Sequence, residues 1–462
     1  MMLSKELCER VLARALCTGG DYAEIFAERT LSGSLYMVNS CLEEISDSVN
    51  SGAGIRVMLG TRTVYGTTTE LTESGLLALA DQVASALGEG TAPISICLTP
   101  EKVISRSPVV RISSEVPKAE KLEVLKRCYF AAKESDGRIT QVKARLLDVD
   151  RNILVANSEG RYLQDRQVRT RLACTSIGED KGVTESGFYG PGRRMGMEMF
   201  EKEVSPEGCG KEASRVAIAR LGASFCPAGQ MTVAIENGFG GVIFHEACGH
   251  SLESDSVATG TSQMAGKLGQ QIANVKVTAV DDPTIPHAWG SIDVDDEGTP
   301  TRPIVLIEKG ILKSYMVDRL GGRRMGMPST GSGRRQNFTY EPSSRMTNTY
   351  IENGEDRNED IIASIENGLY AAKMGGGSVN PITGAFNFGV EEGYLVKNGK
   401  ITECVKGASL IGTGSQVLMD IDMVGQNRFH GQGMCGSVSG SVPNEVGQPL
   451  IRISSITVGG RS

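Results

Sequence analysis

The chain has 462 residues, 57 of them glycine and one of them tryptophan, with a formal net charge of −7. That length suits two or three domains, and so much glycine favours a β-rich or mixed fold over a helix bundle. The acidic balance leaves no basic footprint and argues against nucleic acid as a main partner, and no apolar run approaches the roughly 20 residues of a membrane span.

The N-terminus reads as an amphipathic helix capped by Ser4, with Leu7, Val11, Leu12 and Leu16 on one face and a stop at Gly19-Gly20. Its acidic residues and lack of an apolar core distinguish it from a signal peptide. Strand-like runs follow: YAEIFAERT, SLYMVNSCLEEIS, AGIRVMLGTR and TVYGTTTE. TESGLLALADQVASAL is a second helix and closes a first unit, residues 1–87. Residues 88–116 lack helical periodicity and read as a linker. A helix resumes at Pro117 and runs to about Ser135, with proline tolerated in its first turn. Alternating runs then predict an antiparallel meander with a turn at Asn157-Ser158-Glu159-Gly160, and a helix from about Glu207 to Leu221 completes a unit over 117–222. Neither of these units contains a histidine, so a scaffold or substrate cradle is their expected role.

The character changes in the third unit, 223–462. QMTVAIENGFGG predicts a strand and a glycine turn, and NVKVTAVDD a further strand. PIVLIEKGILKSYMVDR and YLVKNGKITECVKGASLIG predict hairpins turning at Lys309-Gly310 and Asn398-Gly399. Asn358 is placed to cap a helix, EDIIASIENGLYAAK, ended by the glycines at 375–377. The expected class is therefore α+β: N-terminal helix-plus-sheet units, then a glycine-rich, mainly antiparallel sheet or partial barrel.

That third unit carries the strongest chemical signal. The stretch GVIFHEACGHSLESD holds His245, Glu246 and His250, two of only four histidines in the chain. Imidazole is the usual zinc ligand, and a carboxylate beside it can act as a general base. The spacing is unusual, because i+5 lies roughly 140° around an ideal helix. Both rings can face one ion only if the helix bulges or ends near His250, and Gly249 permits such a break. Spacing alone also admits Cys248, which is i+3 from His245. Two histidines need at least one further protein ligand for zinc, and Cys435, His430, Glu253 and Asp255 all stand as candidates. The cysteines number eleven, with no C-x-x-C pair, which suits free thiols in the cytoplasm.

Two other stretches carry charge. Residues 295–298, Asp-Asp-Glu-Gly, read as a solvated acidic turn. Residues 330–335, Thr-Gly-Ser-Gly-Arg-Arg, form a glycine loop without a Walker lysine, so Arg334 and Arg335 are expected to contact a peptide carboxylate or to serve the structure.

The chain resembles the TldD/PmbA family across nearly its whole length, most densely after Gly229. The likeness rests on ENGFGGVIFHEACGHSLESD, DDEGTPTRPIVLIEKGILKSYMVDRL, STGSGRRQ, RMTNTYIENG, VKGASLIGTG and CGSVSGSVPNEVGQPLIRISSITVGG. The resemblance implies a cytoplasmic zinc metallopeptidase of α+β architecture. It implies metal ligation by His245, His250 and Cys435, with Glu246 as general base. PmbA subunits lack the His-Glu motif, so its presence here points to the TldD branch. The expected function is zinc-dependent hydrolysis of unfolded or short peptides, by a homodimer or a heterodimer with a PmbA-like subunit. The alternatives are a peptide-binding, chaperone-like subunit with a structural metal, and a metal-dependent amidohydrolase acting on a small molecule.

Overall fold

The computed structural model describes residues 3–88, 94–380 and 383–460. Its first eight-stranded sheet is built from both N-terminal units. The order along it is Arg62–Thr68, Cys41–Leu59, Tyr22–Val38, Ile139–Asn157, Arg161–Asp180 and Thr99–Lys102. Strand Tyr22–Val38 is the seam, antiparallel to Cys41–Leu59 on one side and to Ile139–Asn157 on the other. Two of the runs read from sequence merge here, because the turn falls inside SLYMVNSCLEEIS. Asn39 and Ser40 take positive φ of 47° and 65°, the left-handed pair that suits the right-handed twist of a tight hairpin. Within the stretch read as a linker, Thr99–Lys102 pairs in parallel with Arg161–Asp180. Residues 89–93 of that stretch lie outside the described residues.

Alternation along Ile139–Asn157 turns Val142, Ala144 and Leu146 to one face. Helices Lys118–Lys133 and Pro206–Leu221 cover that face through Leu125, Cys128, Ala132, Ala213 and Ala217. The two helices cross closely at Gly210, where a Cβ would run into the Cys128 carbonyl. Helices Lys5–Ala15 and Glu73–Leu87 pack over the other end, burying Val11, Leu12, Leu79 and Val83 against Ile25 and Ile55. Ser4 and Thr72 cap these helices, accepting from the backbone N–H of Leu7 and Gly75.

The C-terminal unit holds an eight-stranded and a six-stranded sheet. The first runs Asn367–Val379, Gly229–Ile235, Ile451–Gly459, Ser409–Thr413, Ala385–Lys397, Lys400–Lys406 and Ser224–Phe225, with Ile421–Val424 beside Ile451–Gly459. The second runs Ile311–Leu312, Ile304–Glu308, Ala279–Asp281, Asn348–Ile351, Gly440–Gln448 and Phe429–Ser437. The hairpin turns at Lys309-Gly310 and Asn398-Gly399 form as expected, all four residues at positive φ. The chain is thus α+β, and none of its described helices is long and apolar enough to cross a membrane.

One predicted element changes type. The helix expected over EDIIASIENGLYAAK stops at Ala363, and Asn367–Val379 is a strand. Leu369 and Ala371 are buried between Gly229–Ile235 on one side and Ala385–Lys397 on the other. Two-sided pairing and burial override the local helical preference. Asn358 does not cap, because its side-chain oxygen accepts from the Gln426 backbone N–H at 3.0 Å.

The acidic turn at 295–298 is also not solvated. Asp295, Asp296 and Glu297 are buried where the N-terminal sheet meets the C-terminal unit. Arg56 reaches Glu24 at 2.8 Å and Glu297 at 2.5 Å, Arg335 reaches Glu24 at 2.7 Å, and Arg151 reaches Asp296 at 3.1 Å. Burial alone would raise the Glu24 carboxyl, but Arg56 and Arg335 outweigh it and hold its pKa at about 2. Breaking such a pair strands an uncompensated charge, at a cost of about 3–5 kcal/mol. Arg56→Met is therefore expected to lower the thermal unfolding midpoint by several degrees. Glu101→Gln, which removes a half-exposed partner of Arg161, is expected to leave it nearly unchanged. Equal midpoints for the two variants in differential scanning calorimetry would contradict this reading of the junction.

Candidate metal centre

The motif is delivered by a short helix under tight steric constraint. A 3₁₀ turn at Gly238–Gly241 leads into helix Val242–Ala247. Gly241 lies against the backbone of Gly447, where a Cβ would not fit. Val242, Ile243 and Phe244 bury in the largest core of the C-terminal unit and fix the helix there. The helix then ends. Cys248 takes φ −134° and ψ −41°, and a 3₁₀ turn follows at Gly249–Leu252. This break brings His250 around to His245, with ring centroids 5.0 Å apart and planes at 83°.

Cys435 arrives from strand Phe429–Ser437, antiparallel to Gly440–Gln448. Its sulfur is 3.3 Å from His250 Nε2. One ligand atom each from His245, His250 and Cys435 lie within 4.8 Å of one another. Glu246 is more exposed than His250, with Oε2 3.8 Å from His250 Nε2. Burial raises its carboxyl pKa, helped by Glu253 and opposed by His250. Burial, then His250 and Arg345, push His245 well below its ordinary pKa, so that ring keeps a lone pair. Burial opposes charge on His250 too, but Glu253 and the Cys435 sulfur outweigh it and raise its pKa. Two imidazoles and a thiol leave one position of a tetrahedral zinc site open, so the donor set fits zinc.

Three residues behind the donors were not legible in these roles. Glu253, a candidate ligand by sequence, instead holds His250 Nδ1 at 3.0 Å and leaves Nε2 turned towards Cys435. A carboxylate behind a histidine in this way fixes its tautomer and ring orientation. Arg345 is buried and spans the site: its guanidinium bonds the carbonyls of Cys435 at 2.5 Å and Gly440 at 2.7 Å, and its Nε lies 3.8 Å from Glu253. The Asn444 amide lies 3.4 Å from His245 Nδ1. Its side-chain oxygen is buried and has no hydrogen-bond partner among the described residues. Only Glu253 carried a signal, its i+3 spacing from His250.

The other candidates lie elsewhere. Cys248 is enclosed in the apolar core, where burial pushes its thiol up to about 12. His430 packs edge-on against Tyr350, and burial followed by Arg428 lowers its pKa to about 4. Asp255 caps the Ser256 N–H, and burial followed by Glu253 raises it to about 6. Arg334 and Arg335 do not face the centre. Arg334 bonds the carbonyls of Met346 and Pro443, and Arg335 bonds Glu24, Tyr65 and Asp296. Both are buried, so the expected substrate contact is replaced by partners within the chain. The glycine loop they belong to does cradle carboxylates, but the chain's own: Gly333 N–H donates to Asp295 and Arg335 N–H to Asp296.

Three family models cover the chain. They are described as PmbA/TldA metallopeptidase domain 1 over residues 23–87, the central domain over 111–221 and the C-terminal domain over 228–460. A Haemophilus influenzae protein named "Metalloprotease TldD homolog" is 36% identical over 95% of this chain and 93% of its own length. A Saccharolobus solfataricus protein named "Zinc metalloprotease TldD homolog" is 25% identical over 96% of this chain and 97% of its own. Among solved structures, TldE from Thermococcus kodakarensis superposes with a TM-score of 0.75 at 21% identity, over 96% of this chain and 97% of that one. At that identity the likeness speaks for the fold alone.

The Glu253 contact carries its own expectation. Glu253→Gln should weaken zinc binding by about 10- to 100-fold, the usual cost of losing a partner behind a ligand. Competition with a fluorescent chelator measures this, and unchanged affinity would show that Glu253 does not set the His250 ring.

Proposed function

The chain belongs to the PmbA/TldD metallopeptidase family, and from that premise we propose that it is a zinc-dependent peptidase cleaving unfolded or short peptides. The observation that carries this reading is the convergence of His245, His250 and Cys435 donor atoms within 4.8 Å, beside a partly exposed Glu246. A closed structural zinc site would have four protein ligands, whereas three leave a position for chemistry. That favours an enzyme over a chaperone-like subunit with a structural metal. A zinc ion held by these residues would supply Lewis acidity towards a water and a peptide carbonyl.

The chain's own residues supply the rest. Glu246, partly exposed and with Oε2 3.8 Å from His250 Nε2, is the carboxylate that would accept the proton of an attacking water. It then delivers that proton to the leaving amine. Burial already lifts its pKa, which brings it closer to the range where a group can both take and return a proton near neutrality. Glu253 holds His250 in orientation, and Arg345 ties the Cys435 carbonyl to the next strand. Eleven free cysteines accord with a cytoplasmic location. Pairing, either with a second copy or with a PmbA-like subunit, is part of the same proposal and rests on membership of the PmbA/TldD family.

Glu246→Gln keeps the side chain's size but cannot take a proton. The variant is expected to retain zinc and to lose roughly 10² to 10⁴ in turnover of an unstructured peptide. Zinc content and hydrolysis should be measured on one preparation. Near-wild-type hydrolysis would remove Glu246 as base, and loss of zinc would make it a ligand.

A further inference from the structure

We propose that the cleft between the middle sheet and the C-terminal unit anchors one large apolar side chain of the peptide substrate, and so selects unfolded segments carrying Phe, Tyr, Leu or Met. The inference rests on the peptidase reading and adds a specificity site to it.

The cleft has a volume of about 470 Å³, within the range of small-ligand sites, which favour boundaries between units. One wall is residues 188–190, at the end of strand Val183–Tyr189. The other walls are residues 372–376 and 429–434. Four large apolar side chains stand open around it: Phe429 at 55% exposure, Met434 at 50%, Phe188 at 40% and Tyr189 at 38%. Exposed apolar groups gathered around one concavity mark a binding surface, whereas single ones do not.

The charged groups of the cleft are already engaged. Lys373 pairs with Glu212, and Arg171 donates to the Gly190 carbonyl at 3.1 Å. Glu236 accepts from the Tyr370 hydroxyl and from Asn427, and Glu391 accepts from the Phe188 backbone N–H. What the cleft leaves open is therefore mainly apolar surface, with the buried His430 Nδ1 a polar atom that has no hydrogen-bond partner among the described residues. The wall at 372–376 is also held irregular. Pairing of Asn367–Val379 with Ala385–Lys397 slips register three times between Ala371 and Gly377, and the space beside Gly376 is open. Such bulges bend a strand out of its ladder.

Continuity with the metal centre identifies the occupant. Phe429, Gly431 and Gly433 line the cleft, and alternation along the unbroken strand Phe429–Ser437 puts them on the same face as Cys435 at the metal donors, with Met434 on the opposite face. The turn at Gly238–Gly241 touches the cleft and runs directly into the helix carrying His245. A peptide whose scissile bond reaches the centre thus has a neighbouring side chain at the cleft. A folded protein buries such side chains, so the anchor discriminates against folded chains.

The test uses full-length Glu246→Gln protein loaded with zinc, and two fluorescein-labelled, unstructured ten-residue peptides that differ only in a central Phe or Ala. Fluorescence anisotropy is expected to show about 10- to 100-fold tighter binding of the Phe peptide, the gain for burying a large apolar side chain. Phe188→Ala and Phe429→Ala, introduced singly, should each shrink that ratio at least threefold while leaving the Ala-peptide affinity and zinc content unchanged. If either substitution perturbs folding, N-acetylphenylalanine amide provides the second readout, since it should displace the Phe peptide and not the Ala peptide. Equal binding of the two peptides, no measurable binding of either, or a ratio that survives both substitutions would overturn the proposal. A Phe preference in a protein whose wild type hydrolyses no peptide would instead leave the anchor standing and sink the peptidase reading.

Discussion

The centre depends on a helix that stops between its two histidines. On a continuous helix, residues five apart point roughly 140° away from each other, and no single ion could take both. Cys248 leaves the helical region, Gly249 starts a tighter turn, and the rings close to 5.0 Å. A Cβ at Gly249 would meet Met346 Sδ, so the buried methionine would have to shift to admit a side chain at the break. The same break turns Cys248 into the core, and the sulfur beside His250 is that of Cys435, 185 residues beyond that histidine.

A donor set assembled from such distant segments needs a rigid frame. Arg345 links the carbonyls of Cys435 and Gly440, and lies beside the carboxylate that holds His250. The single tryptophan anchors both strands of the hairpin that carries Cys435: the Trp289 indole N–H donates to the Gly433 carbonyl at 3.0 Å, and its backbone N–H to Glu445 at 2.8 Å. Further out, Glu24, Arg56, Glu297 and Arg335 lock the N-terminal sheet onto the C-terminal unit. Buried charges of this kind contribute little net stability over apolar packing, but they penalise any arrangement that separates the partners. The walls of the cleft come from both sides of this boundary, so its shape depends on their fixed relation.

Much of this was legible in the chain. Alternation, caps and asparagine- or lysine-glycine turns identified the α+β class, the N-terminal helices and both C-terminal hairpins. Histidine scarcity and the His-Glu pair pointed to the candidate centre, and sharing one ion at five-residue spacing demanded an irregular helix, which the structure shows. The misses share one cause. Residues 367–373 have helical composition, yet they are claimed by strands on both sides, from segments more than a hundred residues before and about twenty after. Asp295, Asp296, Glu297, Arg334 and Arg335 look solvent-seeking when read singly, and they are buried with partners far away in sequence: backbone groups of their own unit for Asp295 and Arg334, and Arg151, Arg56 and Glu24 across the unit boundary for Asp296, Glu297 and Arg335. Asn444 and Arg345 act through contacts with residues about 200 and 90 positions away, and local periodicity carries no trace of such contacts.

X-ray absorption at the zinc edge of the purified protein tests the account most directly, because it reads the ligand atoms themselves. One sulfur at about 2.3 Å, two imidazole nitrogens at about 2.0–2.1 Å and one further light atom are expected. A first shell without sulfur, or one with two sulfurs, would contradict the assignment of His245, His250 and Cys435 as the protein ligands.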